Sequence, residues 1–320
     1  MGVVVRVSSR PLAPFVERLG YYTGGFADGW EPVPPTGTDH LLVNLACGDF
    51  RWRAGAAAAV ARVRSGAVVV PGSEGRVRVD LGQWRSAVFV CFRPGGAYPF
   101  LGMPPAAAGR PLLDLQEVWG REGELLRDRL AGAPTAEAAL LAMEDALLTH
   151  ALMPLRPDPV VAAAVAALDR GMPVGQVAAK LGVSQSTLLR RFTAQVGLPP
   201  KRFARVRRLR RLLAAAHGRL GDGGWAGAAA ECGYFDQAHM IADFRALALM
   251  SPGQYRPRLT EPYDLGLLGL TIFSNRRGRD SSEAGVCGGN PESGPGGRAG
   301  VRLVQVERHR AGCVVPGPAA

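Results

Sequence analysis

The stretch FTAQVGLPPKRF at residues 192–203 returns 52 residues further on as FRALALMSPGQY at residues 244–255. Upstream of each copy lies the same device. Val177-Ala178, a turn at Gly182 and a helix starting near Ser184 correspond to Ala228-Ala229, Gly233 and a helix starting near Asp236. The small alanines let two helices approach, and glycine supplies a turn conformation that other residues resist. Ser184 and Asp236 suit the N-cap, so each second helix should present its first turn outward. Leu188 with Phe192, and Met240 with Phe244, are spaced i, i+4 and should face the core. Each half therefore reads as a helix-turn-helix.

Charge singles out the same region. The chain has 320 residues and a formal net charge of +11, and Lys180 and Lys201 are its only lysines. Residues 156–259 hold 16 basic and 6 acidic residues, whereas residues 1–155 hold 15 of each. Between the two units Lys201, Arg202, Arg205, Arg207, Arg208, Arg210 and Arg211 put seven cations into eleven residues without one acid. A basic helical segment beside a neutral one suggests a nucleic-acid module joined to something else. The major groove admits one α-helix, with its N-terminal residues against base edges. On that basis Gln185, Ser186 and Arg190 in the first unit, and Gln237, His239 and Arg245 in the second, are the base-reading candidates. Lys201, Arg202, Arg205, Arg208 and Arg211 are the phosphate candidates, and Phe203, Val206, Leu209, Leu212 and Leu213 the packing face of the same helix.

Residues 158–258 resemble the DNA-binding domain of AraC/XylS-type transcriptional regulators, closing with Ser251-Pro-Gly-Gln-Tyr255-Arg256. The resemblance implies two helix-turn-helix units joined by a long helix, and base reading by Arg190. Ala242 stands where the second helix of such proteins carries its corresponding arginine, and Leu249 where a glycine precedes Ser251. The second helix is thus open to two readings, a base reader or a clamp on the backbone. Residues 10–130 resemble, less specifically, an amino-terminal domain found ahead of some such regulators, through DHLLVNL (39–45), FRPGG (92–96) and Leu115 to Gly120. That implies a sensor or oligomerisation role.

In the first part, Leu41–Leu45, Val68–Val70, Arg76–Leu81 and Ser86–Arg93 read as strands, with turns at Pro71-Gly72 and Pro94-Gly95-Gly96. The period becomes helical over residues 122–130 and 135–148, where Leu140, Leu147 and Leu148 either dimerise or pack on the strands. The aromatics of this part are expected to be mostly core, and Arg93 to Tyr98 either a tight turn or an anion site. Pro154, Pro157 and Pro159 interrupt any helix, and Asp158-Pro159 makes a cap and a first-turn proline for the next. The expected fold is α+β: a small β-barrel or sandwich with a helical hairpin, then an all-α domain of two helix-turn-helix units on a long helix. Expected boundaries are 1–153, a linker at 154–157, the DNA-binding domain at 158–259, and a largely disordered tail at 260–320.

Other classes find little support. No apolar stretch approaches the roughly 20 residues of a membrane helix, and residues 1–14 lack the pattern of a signal peptide. Five cysteines without CxxC spacing argue against a disulfide scaffold or a thiolate zinc site, and point to a reduced cytoplasm. His40 and His150, about 110 residues apart, are the histidines of the first part and do not make a metal cluster. No catalytic residue, metal or cofactor is assigned. The chain reads as a cytoplasmic transcription regulator whose partner is double-stranded DNA. A small-molecule effector, RNA polymerase and a second copy are the further partners this reading admits. The alternative is a nucleic-acid-associated or ligand-binding protein without promoter specificity.

Overall fold

The computed structural model describes residues 2–254 apart from 26–28, 34, 55–58, 64, 73–76, 111, 220–223 and 249. Ten strands come first: β1 (Gly2–Arg6), β2 (Val16–Thr23), β3 (Trp30–Val33), β4 (His40–Asn44), β5 (Phe50–Ala54), β6 (Ala61–Val63), β7 (Ala67–Val70), β8 (Val77–Asp80), β9 (Ser86–Phe92) and β10 (Leu113–Asp114). They form two sheets, ordered β1-β2-β9-β4-β7-β10 and β3-β8-β5-β6. The pairings of β4 with β7 and β9, and of β8 with β3 and β5, are antiparallel.

Why β4 is central follows from its composition. All five of its residues are buried, and alternate side chains serve two different cores, as the period of two requires. Leu41 and Val43 join one cluster with Leu140 and Leu147, while Leu42 joins another with Phe50, Val79 and Trp84 between the sheets. The first cluster is closed by helices α1 (Tyr98–Leu101), α2 (Leu115–Trp119), α3 (Arg121–Ala131) and α4 (Ala136–Thr149). The sandwich with a helical hairpin is thus present, and the described residues form six more strands than the four read from apolar runs. Leu140 and Leu147 are fully buried in their own core, so they cannot dimerise the chain; Leu141 and Leu148 are the exposed leucines of α4. Arg93 to Tyr98 is a turn, in which the Arg93 guanidinium donates to the Ala13 carbonyl at 3.0 Å. Trp84, Phe89, Phe92, Phe100 and Trp119 are core.

Among the described residues there follow α5 (Pro159–Asp169), α6 (Val174–Lys180), α7 (Gln185–Val196), α8 (Pro200–Arg219), α9 (Gly224–Glu231) and α10 (Gln237–Ala248). Asp158 caps α5 by accepting from Val160 and Val161 N–H, with Pro159 in the first turn. Ser184 caps α7 by accepting from Thr187 N–H at 3.1 Å. Gly182 and Gly233 turn the chain into α7 and α10 at φ +63° and +78°, a region costly for any residue with a Cβ. One core packs Val161, Leu168, Val177, Leu188, Phe192 and Phe203. The other packs Val206, Leu209, Leu212, Met240, Phe244 and Leu247. Helix α8 feeds both, with Phe203 in the first and its aliphatic stripe in the second.

The β-rich part touches α8 directly. Arg207 and Arg210 each direct Nη1 at the Thr36 carbonyl, at 3.5 and 3.4 Å. At Gly37, φ +73°, a Cβ would lie 3.0 Å from the Arg207 side chain, so this close approach favours glycine. Leu249, Tyr255, Arg256 and the tail expected at 260–320 lie outside the described residues. Among the described residues no helix is long and apolar enough to cross a membrane.

Candidate nucleic-acid interface

Helix α7 turns one stripe inward and leaves the other in solvent. Leu188, Phe192 and Val196 are buried, and Gln185, Ser186, Leu189 and Arg190 are exposed. The Ser184 hydroxyl that caps the helix lies 2.9 Å from the hydroxyls of Ser186 and Thr187. The three base-reading candidates of the first unit therefore stand together on the outer side of the first two turns.

Behind them the helix is pinned. Arg191 reaches back to Asp158 with Nη2 at 2.7 Å and Nε at 3.1 Å, and Gln195 Nε2 reaches the same oxygen at 3.3 Å. Burial works against the Asp158 charge, but Arg191 and the two capping N–H groups outweigh it and hold the carboxyl below its usual range. One carboxylate thus starts α5 and holds α7.

The second unit is built on the same plan with different chemistry. Asp236 caps α10 by accepting from His239 N–H at 2.6 Å. Gln237 and Arg245 are exposed on α10, whereas His239 turns back on its own scaffold. Its Nε2 lies 3.3 Å from Arg208, and its ring sits edge-on to Tyr234 with centroids 5.4 Å apart. Asp243 is buried and receives Arg205 Nε at 2.6 Å and Arg208 Nη2 at 3.1 Å. Arg208 also lies 4.7 Å from the Tyr234 ring centre. Burial, with Asp243 adding to it, pushes the Tyr234 hydroxyl up to about 12.

The basic run is therefore divided. Lys201 and Arg202 are exposed at the start of α8. Arg205 and Arg208 are committed to Asp243, and Arg211 Nη1 donates to the Asp169 carbonyl. Arg207 grips the Asp169 carboxylate with Nε at 2.5 Å and Nη2 at 3.0 Å. Three of the five phosphate candidates hold the protein together in this structure while part of each side chain stays in solvent. What the sequence reading missed is Asp243: an acid beside Phe244 on the inward stripe, facing a run of arginines, needed a cationic partner.

A cleft of about 330 Å³ opens beside the first unit, bordered by Phe15, Tyr98, Met153, Arg156, Asp158 and Gln195. It brings the turn after β9, the proline-rich connection and α7 to one place. Among the described residues no three His, Cys, Asp or Glu converge as metal ligands would.

Residues 162–258 match the family described as the helix-turn-helix domain. A curated protein of Streptomyces lividans that carries the name of an AraC-like transcription regulator is 37% identical over 109 residues. The C-terminal region is an AraC-type helix-turn-helix domain. The match takes in 33% of this chain and spans about a third, 35%, of that relative. Among solved structures, apo ToxT from Vibrio cholerae strain SCE256 is similar with a TM-score of 0.41 at 9% identity, covering 83% of this chain and all of that one. ToxT from V. cholerae O395 gives 0.38 at 8%, covering 72% and 94%. Within this domain, α7 and α10 are the second helices of their units, and α8 joins them.

Proposed function

We propose that this protein is a DNA-binding transcription regulator that reads two successive major-groove segments, the first through Gln185, Ser186 and Arg190. The observation that carries this reading is the placement of α7 and α10 on one helix. At 20 residues, α8 is about 30 Å long. Successive major grooves on one face of a duplex recur at about 34 Å. Lys201 and Arg202 at the start of α8 supply cations for phosphates, and the domain's excess of basic charge favours any duplex. On this reading the DNA-binding domain runs over 158–259 behind a linker at 154–157, and the protein acts in the cytoplasm.

Effector response belongs to the same proposal. A small molecule in the cleft would lie against Asp158 and Gln195, and Asp158 is the group that holds Arg191. Occupancy would then bias the position of α7 through the carboxylate it already uses.

Selection of random duplexes on the purified protein at about 0.15 M salt tests the reading. A two-part motif with its halves about one helical turn apart supports it. Tight, salt-sensitive retention of every duplex without enrichment favours instead a nucleic-acid-associated protein lacking promoter specificity.

A further inference from the structure

The two units differ inside the turn. Val183 N–H closes the first turn on the Ala178 carbonyl at 3.1 Å, and Tyr234 N–H closes the second on Ala229 at 3.0 Å. Those positions are 51 residues apart, yet the caps that follow, Ser184 and Asp236, are 52 apart. The additional residue is Phe235. Tyr234 takes the inward place that Val183 takes in the first unit, so the core has no use for a second ring. Phe235 is 93% exposed, directly before the N-terminus of α10.

The residues beyond it continue the same character. Ala238 and Ala242 are exposed, Ile241 is half-buried, and Arg245 ends the stripe. At the corresponding places the first unit shows Ser186, Arg190, Leu189 and Thr193. The first reader thus offers mostly hydrogen-bonding groups, with Leu189 among them, whereas the second sets an aromatic ring and methyl groups beside Gln237. In the major groove the apolar feature of a base pair is the thymine 5-methyl, which Phe and Ala side chains contact. Duplex DNA is the occupant this face fits: it sits at the front of the second recognition helix, in a segment of net charge +10.

We infer that the second unit reads thymine methyl groups, with Phe235 as its principal contact. The inference rests on the DNA-reading function proposed above and assigns the base class of its second half-site. It also removes the need for an arginine at position 242: apolar fit discriminates there, beside the hydrogen-bonding Gln237.

The experiment uses the duplex recovered by selection with the full chain. Thymines in the segment under the second unit are replaced one at a time by deoxyuridine, which lacks only the methyl. The wild-type protein should lose about fourfold in affinity for each methyl it contacts. Phe235→Ala should bind the thymine duplex more weakly by at least that factor and no longer distinguish thymine from deoxyuridine there. Phe235→Leu should restore part of the difference. Because Phe235 lies outside the core, the circular dichroism of these variants should match wild type. Indifference of the wild-type protein to every such replacement overturns the inference, as does an equal loss by Phe235→Ala on both duplexes. Failure of selection to return any duplex marks the loss of the DNA-reading function itself, and the inference with it.

Discussion

Arg191 and Asp243 hold the same place in their two helices, one residue before the buried Phe192 and Phe244, and anchor those helices with opposite charge. Arg191 is held by Asp158, in front of α5, at 2.7 Å. Asp243 is held by Arg205 and Arg208 of α8, at 2.6 and 3.1 Å. In the second unit α8 therefore does what α5 does in the first, and the long helix is both linker and scaffold. Reversing the charge places the surplus cations on the linking helix and the acid inside the unit.

Removing Asp243 should cost more than removing either arginine. Its side chain is 5% exposed, while those of Arg205 and Arg208 are 36% and 24% exposed. Breaking a buried pair from one side costs about 3–5 kcal/mol, and the partial exposure of both arginines lowers the expectation for Asp243→Asn to about 2–3 kcal/mol. Arg205→Ala leaves Arg208 in place and should cost about 1 kcal/mol. Urea denaturation measures both. A variant Asp243→Asn as stable as wild type would show that the pairing does not hold α10.

Arg190→Ala tests base reading in the first unit. Arg190 is exposed on α7 beside Ser186, so the fold should be unaffected. Binding to the selected duplex should weaken by about 1–3 kcal/mol, with specificity relaxed at one position. Binding to scrambled DNA should stay unchanged. Equal loss on both duplexes would assign Arg190 to the phosphate backbone.

Lys201 and Arg202 are expected to behave differently from Arg205 and Arg208. Each alanine substitution of an exposed phosphate contact should reduce the slope of log affinity against log salt by about 0.9 and weaken all sequences alike. Lys201→Ala should do so without changing the urea midpoint. Arg205→Ala should lower the midpoint, leaving the slope within error of wild type. If the slope falls for Arg205→Ala and stability does not, Arg205 leaves Asp243 when DNA binds.

The helical half was legible because its signals are local. The repeat, the capping Ser184 and Asp158, and the turn glycines lie within a few residues of the structure they specify. The alternation of the arginine run was legible too, but its partners were not: Asp169 lies 38 residues from Arg207, and Asp243 lies 38 and 35 residues from Arg205 and Arg208. A one-sided count of charges reads such a helix as a phosphate face. In the first half the interior strands β4, β7 and β9 announce themselves as apolar runs. β3, β5 and β6 do not, since a strand at or near a sheet edge needs few apolar residues and tolerates Arg and Pro. Phe235 escaped because a single inserted residue is invisible to a repeat aligned on its caps.

Asp39 and His40 give the β-rich part a pH profile that separates the two. Both are buried, with Asp39 accepting from Gly72 N–H at 2.9 Å and His40 Nε2 within 3.3 Å of the Thr36 and Thr38 hydroxyls. Burial raises Asp39 from 3.8 to about 7, against the pull of the Gly72 N–H. Burial, with Arg210 and Arg18 nearby, lowers His40 from 6.5 to about 3. Stability from the raised Asp39 is fully present below about pH 4 and lost as pH rises through about 7. Stability from the depressed His40 is present above about pH 6.5 and lost as pH falls towards about 3. Between roughly pH 4 and 6.5 the folded pair holds one proton, on Asp39, and the unfolded pair holds one, on His40, so the two trends cancel. Wild-type stability should therefore be nearly flat across that window as far as this pair decides it. In His40→Gln, Asp39 acts alone, and stability should fall with rising pH by about 1.4 kcal/mol per unit from roughly pH 4 to 7. Urea midpoints of the two proteins at four pH values decide the matter: a flat profile for His40→Gln would mean that Asp39 is already ionised across the window, and parallel profiles that burial leaves His40 at its ordinary value.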